Sequence, residues 1–157
     1  MQKKYAVPLF AAALVAAGVA VPAYAATPVL QFNRIQFDSP GKDTRSNASL
    51  NAEFVRIVNR GGSAVNIGTY TIKDVAGQTF RFPTYTLNAG RTVYVHTGRG
   101  TNGINPTTGR ADSSRLYWNS GNYIWNNPGD TATLRSATGR IYDTCKWTKT
   151  GSGVTAC

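Results

Sequence analysis

The chain has 157 residues, with 17 lysines and arginines against seven carboxylates, one histidine and two cysteines, and a formal net charge of +10 at pH 7. One histidine and two cysteines are too few for a transition-metal centre, and the scattered acids offer no close catalytic pair. The cationic excess points toward anionic partners such as nucleic acid, anionic envelope polymers or acidic protein faces.

Residues 1–25 read as a targeting segment rather than as part of the fold. Lys3 and Lys4 give a positive start, Ala6 to Val21 is an apolar run, and Ala23-Tyr24-Ala25 has the small-residue pattern of a cleavage site. The run is shorter than the ~20 residues that span a bilayer. The expectation is therefore a secreted, extracellular chain cleaved after Ala25, soluble once mature. Loss of Lys3 and Lys4 leaves 15 basic and seven acidic residues, a mature net charge of +8 over about 130 residues. That length suits one domain over 26–157, with a core at 29–147 and a tail at 148–157.

From there the apolar residues fall in short β-branched and aromatic runs with no convincing helical period. Leu30, Phe32, Ile35 and Phe37 mark a first strand, and the slip in phase between Phe32 and Ile35 predicts a bulge. Asp38 to Asn47 is a polar loop with a Pro40-Gly41 turn. Phe54 to Val58 reads as a strand at a sheet centre or buried on both sides. Tyr70 and Ile72 follow, then Phe80 and Phe82 alternating with Arg81, where Pro83 marks a strand end or edge. Asn88-Ala89-Gly90 turns into Val93 and Val95, with Tyr94 on the opposite face.

Between His96 and Arg115 the pattern dissolves into a Gly, Thr and Asn-rich loop of about twenty residues, longer than a compact domain carries without a reason. Order returns at Leu116-Tyr117-Trp118 and Tyr123-Ile124-Trp125. Thr131–Arg135 and Arg140–Cys145 pair as a hairpin across Ser136–Gly139. The count is eight or nine strands. Cys145 and the terminal Cys157 are expected to form a disulfide that holds down the tail.

Several of these segments carry a resemblance. Glu53-Phe54-Val55-Arg56 followed by Asn59 is the first. Phe82-Pro83 before Leu87 and Ala89-Gly90, then Val93 and Val95, is the second. Leu116-Tyr117-Trp118, the turn from Trp125 to Gly129, and Ala132-Thr133-Leu134 complete the series. In this order they resemble the lamin tail domain, and the resemblance covers about two thirds of the chain. It implies an all-β, immunoglobulin-like β-sandwich used as a rigid scaffold for binding. The chain departs from animal lamins in having no heptad tract and no C-a-a-X box after Cys145. It is similar instead to small secreted bacterial proteins built from a lone lamin-tail domain.

The chemistry expected of such a chain is binding, not catalysis. G-x-S-x-G, H-E-x-x-H and P-loop patterns are absent from the sequence, so no cofactor and no metal are expected, and a hydrolase built on His96 is the weakest alternative. Asp38 and Asp43 read as turn formers rather than calcium ligands. The sequon at Asn47 is incidental in a bacterial setting. One basic and aromatic constellation stands out: His96, Arg99, Arg110 and Arg115 frame the long loop, and Tyr117 follows. Trp118 and Trp125 are expected to pack in the core. The expected function is a secreted, non-enzymatic interaction module that meets an anionic polymer, either an envelope polymer or nucleic acid, or a protein partner, through that loop. The rival is a structural protein that assembles through protein contacts.

Overall fold

The computed structural model describes residues 29–148 and 152–157. The targeting segment expected at 1–25 lies outside the described residues. The elements, in chain order, are β1 (Leu30–Gln36), α1 (Asn47–Ala52), β2 (Phe54–Asn59), β3 (Val65–Asn66), β4 (Thr71–Lys73), β5 (Thr79–Arg81), β6 (Thr86–Leu87), β7 (Thr92–His96), β8 (Arg115–Tyr117), β9 (Gly129–Arg135), β10 (Ile141–Thr148) and β11 (Val154–Thr155). One sheet has the order β11-β1-β2-β7-β8, the second β10-β9-β4-β5, and β3 pairs with β6 in a two-stranded ribbon. Leu30, Phe32, Ile35, Val55, Ile57, Val93 and Val95 of the first sheet pack with Ile72, Phe80, Ala132 and Leu134 of the second and with Trp125 in one core. This mostly antiparallel arrangement is the immunoglobulin-like sandwich that the alternation of side chains implies.

The strand pattern follows the sequence closely. The register between β1 and β2 shifts between Phe32 and Arg34, where the phase slip predicts a bulge. Beside the bulge, the Phe32 N–H donates to the Asp143 carboxylate on β10 at 2.8 Å and ties the two sheets along one side. β5, which ends just before Pro83, is an edge strand. The β9–β10 hairpin closes across Ser136–Gly139, with Ser136 N–H donating to the Arg140 carbonyl.

Two segments differ from expectation. α1 begins at Asn47, where the polar loop should end, because Ser46 caps it: its hydroxyl accepts the Ser49 N–H at 3.2 Å. Six residues with one buried apolar side chain, Leu50, are too few to show a helical period. The long loop is also more ordered than its composition suggests. His96 is the last residue of β7 and Arg115 the first of β8, and these two strands pair in parallel, so the residues between them form a crossover. Within it Ile104 bridges Ala111, and the Asn105 side chain accepts the N–H groups of Thr107 and Thr108 as an Asx turn. The strand count rises to eleven among the described residues through the two-residue strands β3, β6 and β11.

β2 is a central strand, and each end carries a fully buried polar side chain. At its C-terminal end Asn59 donates to the carbonyls of Ser63 and Leu87, and its own oxygen accepts the Gly61 N–H. Those three bonds fix the turn after β2 and the start of the Asn88–Gly90 turn.

The tail returns to the sheet as β11, beside β1, and Cys157 is bonded to Cys145 of β10. Gly153 makes the return possible: its φ is +74°, and a Cβ there would collide with Asp38. Its carbonyl accepts the N–H groups of Phe37 and Asp38. Cys157→Ser is predicted to lower stability by roughly 3 kcal/mol, the entropy of a loop of this size. Urea unfolding of the oxidised protein and the variant measures the difference.

Candidate functional site

The ends of β7 and β8, the crossover between them and α1 meet at one edge of the first sheet. His96, Arg115 and Tyr117 come together there. His96 Nδ1 lies 2.7 Å from the Asn51 carbonyl, so it carries the proton and donates. Nε2 accepts from Arg115 Nη1 at 3.0 Å. Burial holds the imidazole below its ordinary range; Arg115 adds to that shift, and the bond to Asn51 opposes it. A neutral, fully engaged imidazole at the floor of the edge is an organising group and not a free base. Arg115 is itself committed: Nε pairs with Asp112 Oδ2 at 2.7 Å, the one salt bridge among the described residues. The Ser114 hydroxyl, followed by Arg115, holds the Asp112 carboxyl below its ordinary range.

The aromatic rings are equally occupied. Across the outer face of the first sheet the register places Arg34, Arg56, Tyr94 and Arg115 in one row, and Gln36, Phe54, His96 and Tyr117 in the next. Tyr94 stacks on His96 with 13° between ring planes, and His96 stacks on Tyr117 with 27°. Arg56 sits 5.8 Å above the Tyr94 ring and donates to its hydroxyl. At the far end of the column, a Cβ on Gly100 would lie 2.5 Å from the Tyr117 ring. Tyr117 is 2% exposed, and its hydroxyl donates to the Ile104 carbonyl at 3.0 Å. The column thus supports the crossover and leaves no open face for a ligand to stack upon. Trp125 is buried and Trp118 half-buried, both in the core as expected.

Arg99 and Arg110 stand apart from this cluster. Both are exposed. The Arg99 backbone is clamped to α1: Asn47 Oδ1 accepts its N–H at 2.7 Å, and its carbonyl accepts the amides of Asn47 and Asn51 at 3.0 Å each. Gly98 allows this approach, since a Cβ there would stand 2.6 Å from Asn51 Oδ1. Of the five residues read from the sequence, buried His96 and Tyr117 and half-buried Arg115 therefore form the base of the site, and Arg99 and Arg110 are exposed at its surface.

Two clefts flank α1. The first, about 440 Å³, lies between α1 and the crossover and is lined by Asn51, Ala52, His96, Pro106, Arg115 and Tyr117 among others. The second, about 270 Å³, is lined by Arg45, Asn47, Leu50, Arg99, Ser120 and Gly121. Asn47 is a wall of both. Arg45, Asn47 and Asn51 escape a reading centred on the long loop, because only the fold brings α1 against it. Among the described residues no group of three or more His, Cys, Asp or Glu stands close enough to hold a metal ion. Nor is any described helix long and apolar enough to cross a membrane.

Beneath the clefts lies Glu53, at 0% exposure. Its Oε1 accepts three hydrogen bonds: from the Thr97 hydroxyl at 2.7 Å, the Ile124 N–H at 2.9 Å and the Trp125 N–H at 3.0 Å. Oε2 has no partner. Burial raises the carboxyl from 4.5 to about 7 against the opposing pull of these donors. The carboxyl therefore takes up its proton near neutrality rather than in the ordinary carboxylate range.

A raised folded pKa means that this stabilisation is complete below about pH 4.5 and is lost as pH rises to about 7. The span is worth on the order of 3 kcal/mol. His96, whose pKa is lowered, acts in the opposite sense near its own titration. Comparison of thermal midpoints between wild type and Glu53→Gln isolates the carboxyl. The wild type is predicted to lose stability relative to the variant between pH 4.5 and 7, and to lose no more above that range.

A comparison with curated proteins finds no match. Residues 23–149 match the family model described as Lamin Tail Domain, which spans both sheets, α1 and the crossover. With most of its length inside that match, the chain belongs to the lamin tail domain family.

Proposed function

We propose that the protein is a secreted, non-enzymatic binding module that holds an anionic polymer, an envelope polymer or extracellular nucleic acid, on the face formed by α1 and the crossover. The observation that carries this reading is the disposition of charge. Five of the seven carboxylates accept backbone N–H groups: Glu53 from Ile124 and Trp125, Asp74 from Gln78, Asp112 from Ser114, Asp130 from Val75, and Asp143 from Phe32. Glu53, Asp74 and Asp130 are buried. The acids therefore serve as internal anchors of loops, and only Arg115 has a carboxylate partner among the described residues. Most of the other described arginines and lysines are exposed, and none of them has a carboxylate partner among the described residues, which is the electrostatic footprint of a polyanion binder. Membership in a generally non-catalytic domain family, together with an engaged His96, supports binding over hydrolysis.

Secretion follows from the leader read at 1–25, and N-terminal sequencing of exported protein is predicted to begin at Ala26. The binding reading predicts that retention on DNA or polyphosphate resin falls steeply as salt rises from about 50 to about 300 mM. Arg99→Ser with Arg110→Ser should elute at clearly lower salt with an unchanged thermal midpoint. Arg115 is left intact because it braces His96. Retention that ignores salt, together with self-association, would support the assembly alternative instead.

A further inference from the structure

The smaller cleft beside α1 has a feature that general surface charge does not account for. Two arginines, Arg45 and Arg99, line one space of about 270 Å³, and no carboxylate-bearing residue lines it. Both residues are exposed, and neither side chain has a hydrogen-bond, ionic or ring partner among the described residues. Neither arginine has an ion-pair partner within 4 Å among the described residues, so the two like charges share the cleft unpaired.

The backbone on both sides is fixed. Arg99 is held at N–H and carbonyl by the Asn47 and Asn51 side chains. Arg45 directly precedes the Ser46 cap of α1, with φ at +55°. The left-handed region is unfavourable for most residues with a Cβ and is suited to Gly or Asn. An arginine there sets a charged side chain against the preference of its own backbone.

We infer that this cleft is an oxyanion subsite that takes the phosphodiester group of an anionic polymer. Arg45 supplies one forked set of donors and Arg99 the other; the inference rests on the polyanion reading above. A planar carboxylate is satisfied by a single guanidinium fork. Two forks that arrive from separate elements suit a tetrahedral phosphodiester, whose two non-bridging oxygens share one charge and point apart. Ser120 and Gly121 close the cleft with no competing charge. Phosphodiesters come from polyol-phosphate envelope polymers or from nucleic acid, and the two share this chemistry.

The test measures dissociation constants at fixed low salt for three probes: poly(glycerol phosphate), a single-stranded DNA oligonucleotide and polygalacturonate. The variants are Arg45→Asn, which tolerates the left-handed backbone, Arg45→Lys, Arg99→Asn and the Arg45→Asn/Arg99→Asn pair. Arg45→Gly gives the same reading with the backbone fully relaxed. Each Asn variant is expected to weaken phosphodiester binding roughly tenfold, the worth of one charge-assisted hydrogen bond. Each should also reduce the salt slope by about one. The double variant should lose less than the product of the two singles, because the arginines share one group. Arg45→Lys should recover only part of the affinity, and polygalacturonate binding should change little. Whichever phosphodiester probe binds more tightly identifies the source.

If Arg45→Asn binds as the wild type does while Arg99→Ser/Arg110→Ser does not, the subsite is wrong and the polyanion reading stands. Equal losses toward polygalacturonate overturn the phosphodiester assignment. If the wild type holds none of the probes, the subsite and the reading beneath it both fall.

Discussion

One buried carboxylate governs how the functional edge of this domain is assembled. Glu53 lies where α1 hands over to β2, and a single oxygen collects donors from the exit of β7 and from the segment at Ile124 and Trp125. Three stretches distant in sequence are thereby fixed to one point in the interior. A buried acceptor of this kind costs desolvation, which the carboxyl meets by taking up a proton near neutrality instead of remaining an anion. Asn59 performs the matching task at the other end of the same strand. The two residues explain why a central β-strand begins and ends on polar side chains: each substitutes for the ladder partners that the neighbouring loops lack.

The same economy extends to the other acids and sets the character of the surface. Asp130 accepts from Val75, Asn126 and Thr131, and Asp143 accepts the N–H of Phe32 beside the β1 bulge. Carboxylates used in this way organise loops without neutralising the arginines outside. The positive surface is therefore a consequence of how the loops are anchored as well as of composition. The clefts beside α1 lie where that surface is held most firmly, because Asn47 and Asn51 clamp the crossover by its backbone and leave the Arg99 side chain exposed.

The fold was legible in the sequence because strand burial writes itself as alternation: Phe80 and Phe82 against Arg81, Val93 and Val95 against Tyr94, and a slip at the bulge. The disulfide was legible for a different reason, since two cysteines leave one intramolecular pairing. α1 was hidden because a six-residue helix has no period, although the Ser46 to Ser49 cap is visible in retrospect. The site was half legible. The cations around the long loop could be named, but composition could not tell that Arg115 and His96 bind each other while the Arg99 side chain has no ion-pair partner among the described residues. Arg45 could not be found from the loop at all, because its nearness to Arg99 is made by α1 folding against the crossover. Among the aromatic residues the core positions of Trp118 and Trp125 could be read, whereas the column in which Tyr94, His96 and Tyr117 stack on one another is made by the register of β7 and β8.

The central claim is that Glu53 sits inside the domain as the shared acceptor for its loops. Carboxyl carbon NMR across a pH titration tests it most directly, read together with the amide signals of Ile124 and Trp125. A Glu53 midpoint near 7, with both amides shifting at the same midpoint, is the predicted result. A midpoint near the ordinary 4.5, with the two amides unmoved, would contradict it.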